Sequence, residues 1–124
     1  MTNSSRYGKL AEQEAASRYG FDVVHNEWRD GCHQNGTPVQ VKAAQEKRLS
    51  GSEGRFRLWE ADHRRLRARD GWYVFVAYRP HGNGIRVINM VRKRPSDVPV
   101  GGFYGSGRHP HGNRQAKVAV SDIF

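Results

Sequence analysis

GTPVQVKAA, residues Gly36 to Ala44, decides how the rest of the chain is read. Asn35-Gly36 is a turn pair of the kind that opens a strand. Val39 and Val41 then point to one face of that strand, and Gln40 and Lys42 share the other. Burial of one face accounts for the valines. It does not account for an amide and an ammonium side by side on the opposite face, ten and twelve residues beyond Asp30.

Working outward, 124 residues are enough for one core and too few for two. Only 36% of the residues are hydrophobic, but they are clustered, which favours a folded chain over a disordered one. No apolar run approaches the ~20 residues of a membrane span. The opening MTNSSRYGK lacks a hydrophobic signal core, and the single Cys32 can form no internal disulfide. A cytoplasmic protein is expected. Lys and Arg number 21 against 12 acids, a formal charge of +9 with a pI near 10.3. Such an excess points to a polyanionic partner, and nucleic acid is the usual one. The charges are unevenly placed. Glu12, Glu14, Glu27 and Asp30 lie in the first third, whereas Arg55 to Arg69 holds six arginines. Carboxylates for a cation and arginines for phosphates are what a metal-dependent nuclease needs.

Periodicity predicts a helix over 6–19, capped by Ser4 or Ser5, with Tyr7, Leu10, Ala11, Ala15 and Tyr19 on one stripe and Gly20 as its stop. A short strand over 21–24 and an irregular segment through Trp28 and Asp30 follow. The polar stretch 45–54 reads as a loop and 55–59, alternating basic and apolar, as a half-buried strand. A second helix fits 60–69, with Leu66, Ala61 and Ala68 inward. WYVFVAY (72–78) reads as a central strand buried on both faces, with 85–91 antiparallel to it. Residues 101–113 are glycine-rich and read as a loop, and 117–121 as a last edge strand. The class is α+β, a central mixed sheet flanked by helices in the order αβββαβ, with a core over about 6–91 and a loop-rich extension over 92–124 of one domain.

Hydrolysis of a phosphodiester needs a means of activating water and of neutralising charge on the phosphate, and a divalent metal supplies both. Magnesium prefers hard oxygen ligands and takes only one or two protein carboxylates. Here the sequence resembles a known family. The run Gly8-Lys9-Leu10-Ala11-Glu12, then Gly20-Phe21, Asp30, Asn35-Gly36 and Gln40-Val41-Lys42 is similar to the PD-(D/E)XK nucleases, above all to archaeal Holliday-junction resolvases and restriction-endonuclease-like proteins. The resemblance covers roughly residues 6 to 80. It implies a restriction-endonuclease-like core, Mg²⁺ or Mn²⁺ as cofactor, DNA as partner and a homodimer. It also implies Glu12 as helical acid and a further metal ligand, Asp30 as principal metal ligand, Gln40 in the second-ligand position and Lys42 as catalytic lysine.

Gln40 departs from the pattern, which has glutamate there. An amide oxygen ligates a hard cation but adds no charge. A natural glutamine variant, a lapsed site and a glutamate exchanged to stop cleavage all stay open on sequence grounds. Because Gln and Glu are nearly isosteric, Gln40→Glu is expected to fold unchanged. Arg55, Arg57, Arg64, Arg65 and Arg67 form the expected nucleic-acid face. Trp28 and Trp59 read either as base-stacking residues or as core-edge packing. Cys32, His33, His109 and His111 lack the paired spacing of a zinc site. A binding module on a nuclease scaffold, without catalysis, is the alternative.

Overall fold

The computed structural model describes residues 3–24, 28–105 and 114–124. Its first element is α1 (Asn3–Tyr19), closed by Gly20 in the left-handed region with a bond from its N–H to the Ala16 carbonyl. The helix starts earlier than the serines suggested, and Ser4 and Ser5 lie within its first turn. The strands β1 (Asp22–Val23), β2 (Gly31–Cys32) and β3 (Pro38–Gln45) follow. Next come β4 (Arg55–Trp59), α2 (Glu60–Ala68), β5 (Trp72–His81) and β6 (Gly84–Lys93). A 3-10 turn (Pro95–Asp97), β7 (Gln115–Ala119) and a last short helix α3 (Val120–Ile123) complete the described chain.

Five strands form a mixed sheet in the order β1-β2-β3-β5-β6, in which β3 and β5 are parallel and the other neighbours antiparallel. The stretch that opened the sequence reading is β3, and its alternation divides the protein. On one face Val39 and Val41 pack with Val74 and Val76 of β5 beneath Ala11 and Ala15 of α1. Both alanines are fully buried, so the helix axis lies close to the sheet. On the other face Tyr73, Phe75 and Ala77 of β5 pack against Phe56 and Leu58 of β4, Leu66 of α2, and Val98, Val118, Val120 and Ile123. β5 is therefore buried on both sides, as its uninterrupted apolar run predicted.

Three expectations are corrected. β4 does not join the central sheet; it pairs with β7 in a separate two-stranded ribbon over the second core. Its alternation was right, but alternation carries no information about the partner strand. β2, two residues held between β1 and β3, directly follows the segment expected to be irregular, at a place where no strand was expected. A side chain at Gly31 would meet the Phe21 ring at 2.4 Å and the Asp22 carbonyl at 2.8 Å, so only glycine allows this approach. Ala68 faces solvent, whereas Leu66 alone of α2 is fully buried.

Candidate active site

β2 and β3 part company just beyond the Gly31–Val39 pair, and the site forms in that fork. The Asp30 N–H donates to the Val39 carbonyl (3.0 Å), the last bond of the ladder. The next donor along this edge, the Val41 N–H, is taken by the Asp30 carboxylate, with 2.8 Å to Oδ2. A side chain thus replaces the backbone acceptor that a continuing strand would have supplied, and Asp30 is fixed against β3. Gln40 lies one residue back on β3 and is 4% exposed. Its Nε2 donates to the Trp28 carbonyl, which orients the amide. Oε1 is then buried with no hydrogen-bond partner among the described residues. A buried acceptor left in this state costs about 1–3 kcal/mol, and it is also a hard oxygen ready for a cation or a water.

Lys42 follows two residues later on the same face, among β4 and α2. Burial holds its ammonium below the ordinary lysine range, the Asp30 and Asp62 carboxylates oppose that shift, and Arg57 adds to it. Asp30, Gln40 and Lys42 are therefore brought together. Glu12 is placed differently. It projects from α1 on the other side of β3, into a cleft of about 610 Å³ that it lines with Val41 and Ala43. Among the described residues no three His, Cys, Asp or Glu side chains group closely enough to hold a metal. Asp30 and the Gln40 Oε1 could supply two oxygen ligands, the number magnesium can accept, since that ion keeps several waters.

The sequence reading missed a polar group behind Lys42. His63 Nδ1 and the Tyr73 hydroxyl lie 2.9 Å apart, with the rings stacked at 5.7 Å. Tyr73 is the strand partner of Gln40, so this pair pins α2 to the sheet beside the site. Burial, then the Asp62 carboxylate, raises the Tyr73 hydroxyl above the ordinary phenol value. Burial, then Arg67, lowers His63. Asp62 and His63 sit in an arginine-rich helix, and no sequence period marks them as inward-facing.

The arginines are exposed. Arg64, Arg65 and Arg67 lie along α2, and Arg64 reaches Glu60 at 3.8 Å. Arg55 and Arg57 lie on the outer face of β4, where Arg57 is directly opposite Lys117 of β7. Like charges across a strand pair are unfavourable unless a polyanion lies over them. Trp28 packs against the second core with Arg69 over its ring at 5.0 Å, and Arg57 stands 5.9 Å from the Trp59 ring. Trp28 is therefore an element of core-edge packing. Cys32 donates to the His33 carbonyl (3.1 Å), and His33 meets Phe21 edge-on; His109 and His111 fall outside the described residues.

Two expected results follow from these contacts. Gln40→Glu would set a carboxylate oxygen against the Trp28 carbonyl, so the isosteric exchange is not neutral as the sequence suggested. The variant should be about 1–3 kcal/mol less stable in EDTA, with the gap narrowing when Mg²⁺ is added. Equal melting temperatures in EDTA would mean that the amide does not hold Trp28. The second result concerns pH. His63 is lowered in the fold, so the unfolded chain binds more protons below about pH 6.5. Stability should fall as pH drops from 6.5 toward the lowered folded value, and His63→Gln should remove that part of the slope. Urea midpoints measured between pH 7.5 and 5 test this.

No curated protein matches the sequence. The fork of β2 and β3, with Asp30 on its edge and Lys42 two residues beyond Gln40 on one strand face, agrees with one further comparison. The family model for the PD-(D/E)XK nuclease superfamily domain matches residues 1–124, and the chain belongs to that superfamily.

Proposed function

We propose that the protein is a metal-dependent endonuclease that hydrolyses phosphodiester bonds of DNA, with Asp30 and the Gln40 side-chain oxygen holding Mg²⁺ or Mn²⁺. The observation that carries this reading is the buried Oε1 of Gln40, without a hydrogen-bond partner among the described residues and on the strand face it shares with Lys42, whose ammonium feels the Asp30 carboxylate. The Trp28 carbonyl fixes which amide atom points into the site, and it would repel the carboxylate of a glutamate. An amide can donate to this carbonyl as a carboxylate cannot, which supports reading Gln40 as a natural glutamine variant.

When bound, the ion neutralises charge on the scissile phosphate and lowers the pKa of a coordinated water. Asp30 is held at the fork by the Val41 N–H, so its carboxylate needs no reorganisation to meet a cation. Lys42, partly desolvated between two carboxylates, orients the attacking water and offers positive charge to the phosphate. Glu12 stands across β3, where it can accept a proton from water at the edge of the cleft. Arg55 and Arg57, with the arginines of α2, hold the flanking phosphates. A chain of 124 residues offers little surface to wrap a duplex, so a homodimer with two sites on one DNA is part of the proposal. Branched, Holliday-junction-like DNA is the substrate that the resolvase resemblance favours.

The absence of a three-carboxylate cluster among the described residues favours a second reading, a DNA-binding module without catalysis. Nicking of supercoiled plasmid with Mg²⁺, with Mn²⁺ and with EDTA separates the two. Binding should weaken steeply with salt under either reading, with a log–log slope of about −0.9 per phosphate contacted. A slope near zero would remove the arginine face from both.

A further inference from the structure

The connection between β3 and β4 is an ordered hairpin, although its composition reads as a plain polar loop. Lys47 and Glu53 form an antiparallel backbone bridge, the Arg48 N–H donates to the Ser52 carbonyl (2.7 Å), and the Gly51 N–H donates to the Arg48 carbonyl (2.8 Å). Gly51 takes the left-handed conformation (φ 87°) that the tight tip requires. At the base, a side chain on Gly54 would lie 1.9 Å from the Gln45 carbonyl, so the two arms close backbone to backbone. Leu49 stands at the apex of this structure and is fully exposed, far beyond the partial exposure of Val23, Tyr104 or Phe124.

The charges around it are one-sided. Both acids of the hairpin are committed within the fold. Glu46 pairs with Arg79 at 2.6 Å, and Glu53 accepts from the Ser121 N–H (2.8 Å) and hydroxyl (3.0 Å). Lys47 and Arg48, and Arg55 at the base, form no ion pair with any described residue. Arg48, Leu49 and Arg55 also form one wall of the cleft whose other walls hold Glu12, Val41 and Ala43. The hairpin therefore projects an apolar tip flanked by free cations directly beside the β3 edge.

We propose that Leu49 is a wedge that inserts at a base step of duplex DNA while Arg48 and Arg55 hold the adjacent phosphates, so that the protein selects steps that unstack easily. The proposal rests on the nuclease reading for the choice of DNA as partner. Its chemistry is that of an apolar side chain flanked by cations. Base faces cover the leucine, the backbone satisfies the guanidinium groups, and the duplex bends where stacking is weakest. Pyrimidine–purine steps, mismatches and branch points are the favoured sites.

The test uses the full chain in EDTA with duplexes carrying 2-aminopurine at successive positions, perfectly paired or with one mismatch. Binding of the parent is expected to raise the fluorescence at one step and to favour the mismatched duplex. Leu49→Ser should bind about tenfold more weakly, without the fluorescence rise or the preference, while Leu49→Met keeps all three. The salt slope should be unchanged in Leu49→Ser and reduced by about one in Arg48→Gln. Leu49→Ser that matches the parent in affinity and fluorescence overturns the wedge, even if the parent cleaves DNA. A parent that binds and unstacks DNA but cleaves none with Mg²⁺ or Mn²⁺ supports the wedge and overturns the nuclease reading. A parent that binds no DNA overturns the wedge.

Discussion

Asp30→Asn is expected to reduce metal-dependent cleavage by about a thousandfold or more while leaving the fold intact. The asparagine oxygen can still accept from the Val41 N–H, so the fork between β2 and β3 keeps its bond. What disappears is the carboxylate held at that edge, and with it the charge that, on the proposed reading, attracts a divalent cation. DNA binding should stay the same or tighten, because a negative charge facing phosphate has been removed. Two measurements decide the matter: single-turnover cleavage at saturating DNA, and calorimetric titration with Mn²⁺. If the variant binds Mn²⁺ as the parent does, Asp30 is not the ligand. If it unfolds, the carboxylate serves the β2–β3 junction and the functional reading loses its main support.

Lys42→Met is the second large effect, and its two consequences should point in opposite directions. Cleavage should fall by about a hundredfold or more, since on the proposed reading the group that orients water and meets the phosphate is lost. Stability should be equal or higher. Burial lowers the pKa of Lys42, which means that the fold disfavours its charged form relative to the unfolded chain. That cost is fully present below the lowered folded value and is relieved as pH rises from there toward the unfolded one near 10.5. Methionine keeps the stem and removes the charge. A residue kept at a cost to the fold is one that function requires. A lower melting temperature in the variant, with cleavage reduced only in proportion to unfolding, would make Lys42 a structural residue.

Local pattern in the sequence determined a great deal of this protein. The helix α1, the strands β3, β5 and β6 and the helix α2 all follow from periods that a short window contains, because each element buries one face or two. The placement of Gln40 and Lys42 on one face and Val39 and Val41 on the other is likewise a property of alternation, and the register of β3 against β5 carries it through. Tertiary structure decided the rest. β2 exists only because Gly31 allows a backbone to close on Phe21, and two residues hold no period. β4 looked like any strand, yet its partner is β7, near the other end of the chain, where Val118 and Val120 meet Phe56 in the second core. The hydrogen bonds that define the site join residues eleven and twelve positions apart, Asp30 to Val41 and Trp28 to Gln40, across the point where two strands diverge. His63 and Tyr73 meet only because α2 lies over β5. Local propensity can state which face a side chain takes. Which atoms it meets there depends on contacts between segments that no single window of sequence contains, and those contacts give Gln40 a donor bond on one side and a bare oxygen on the other.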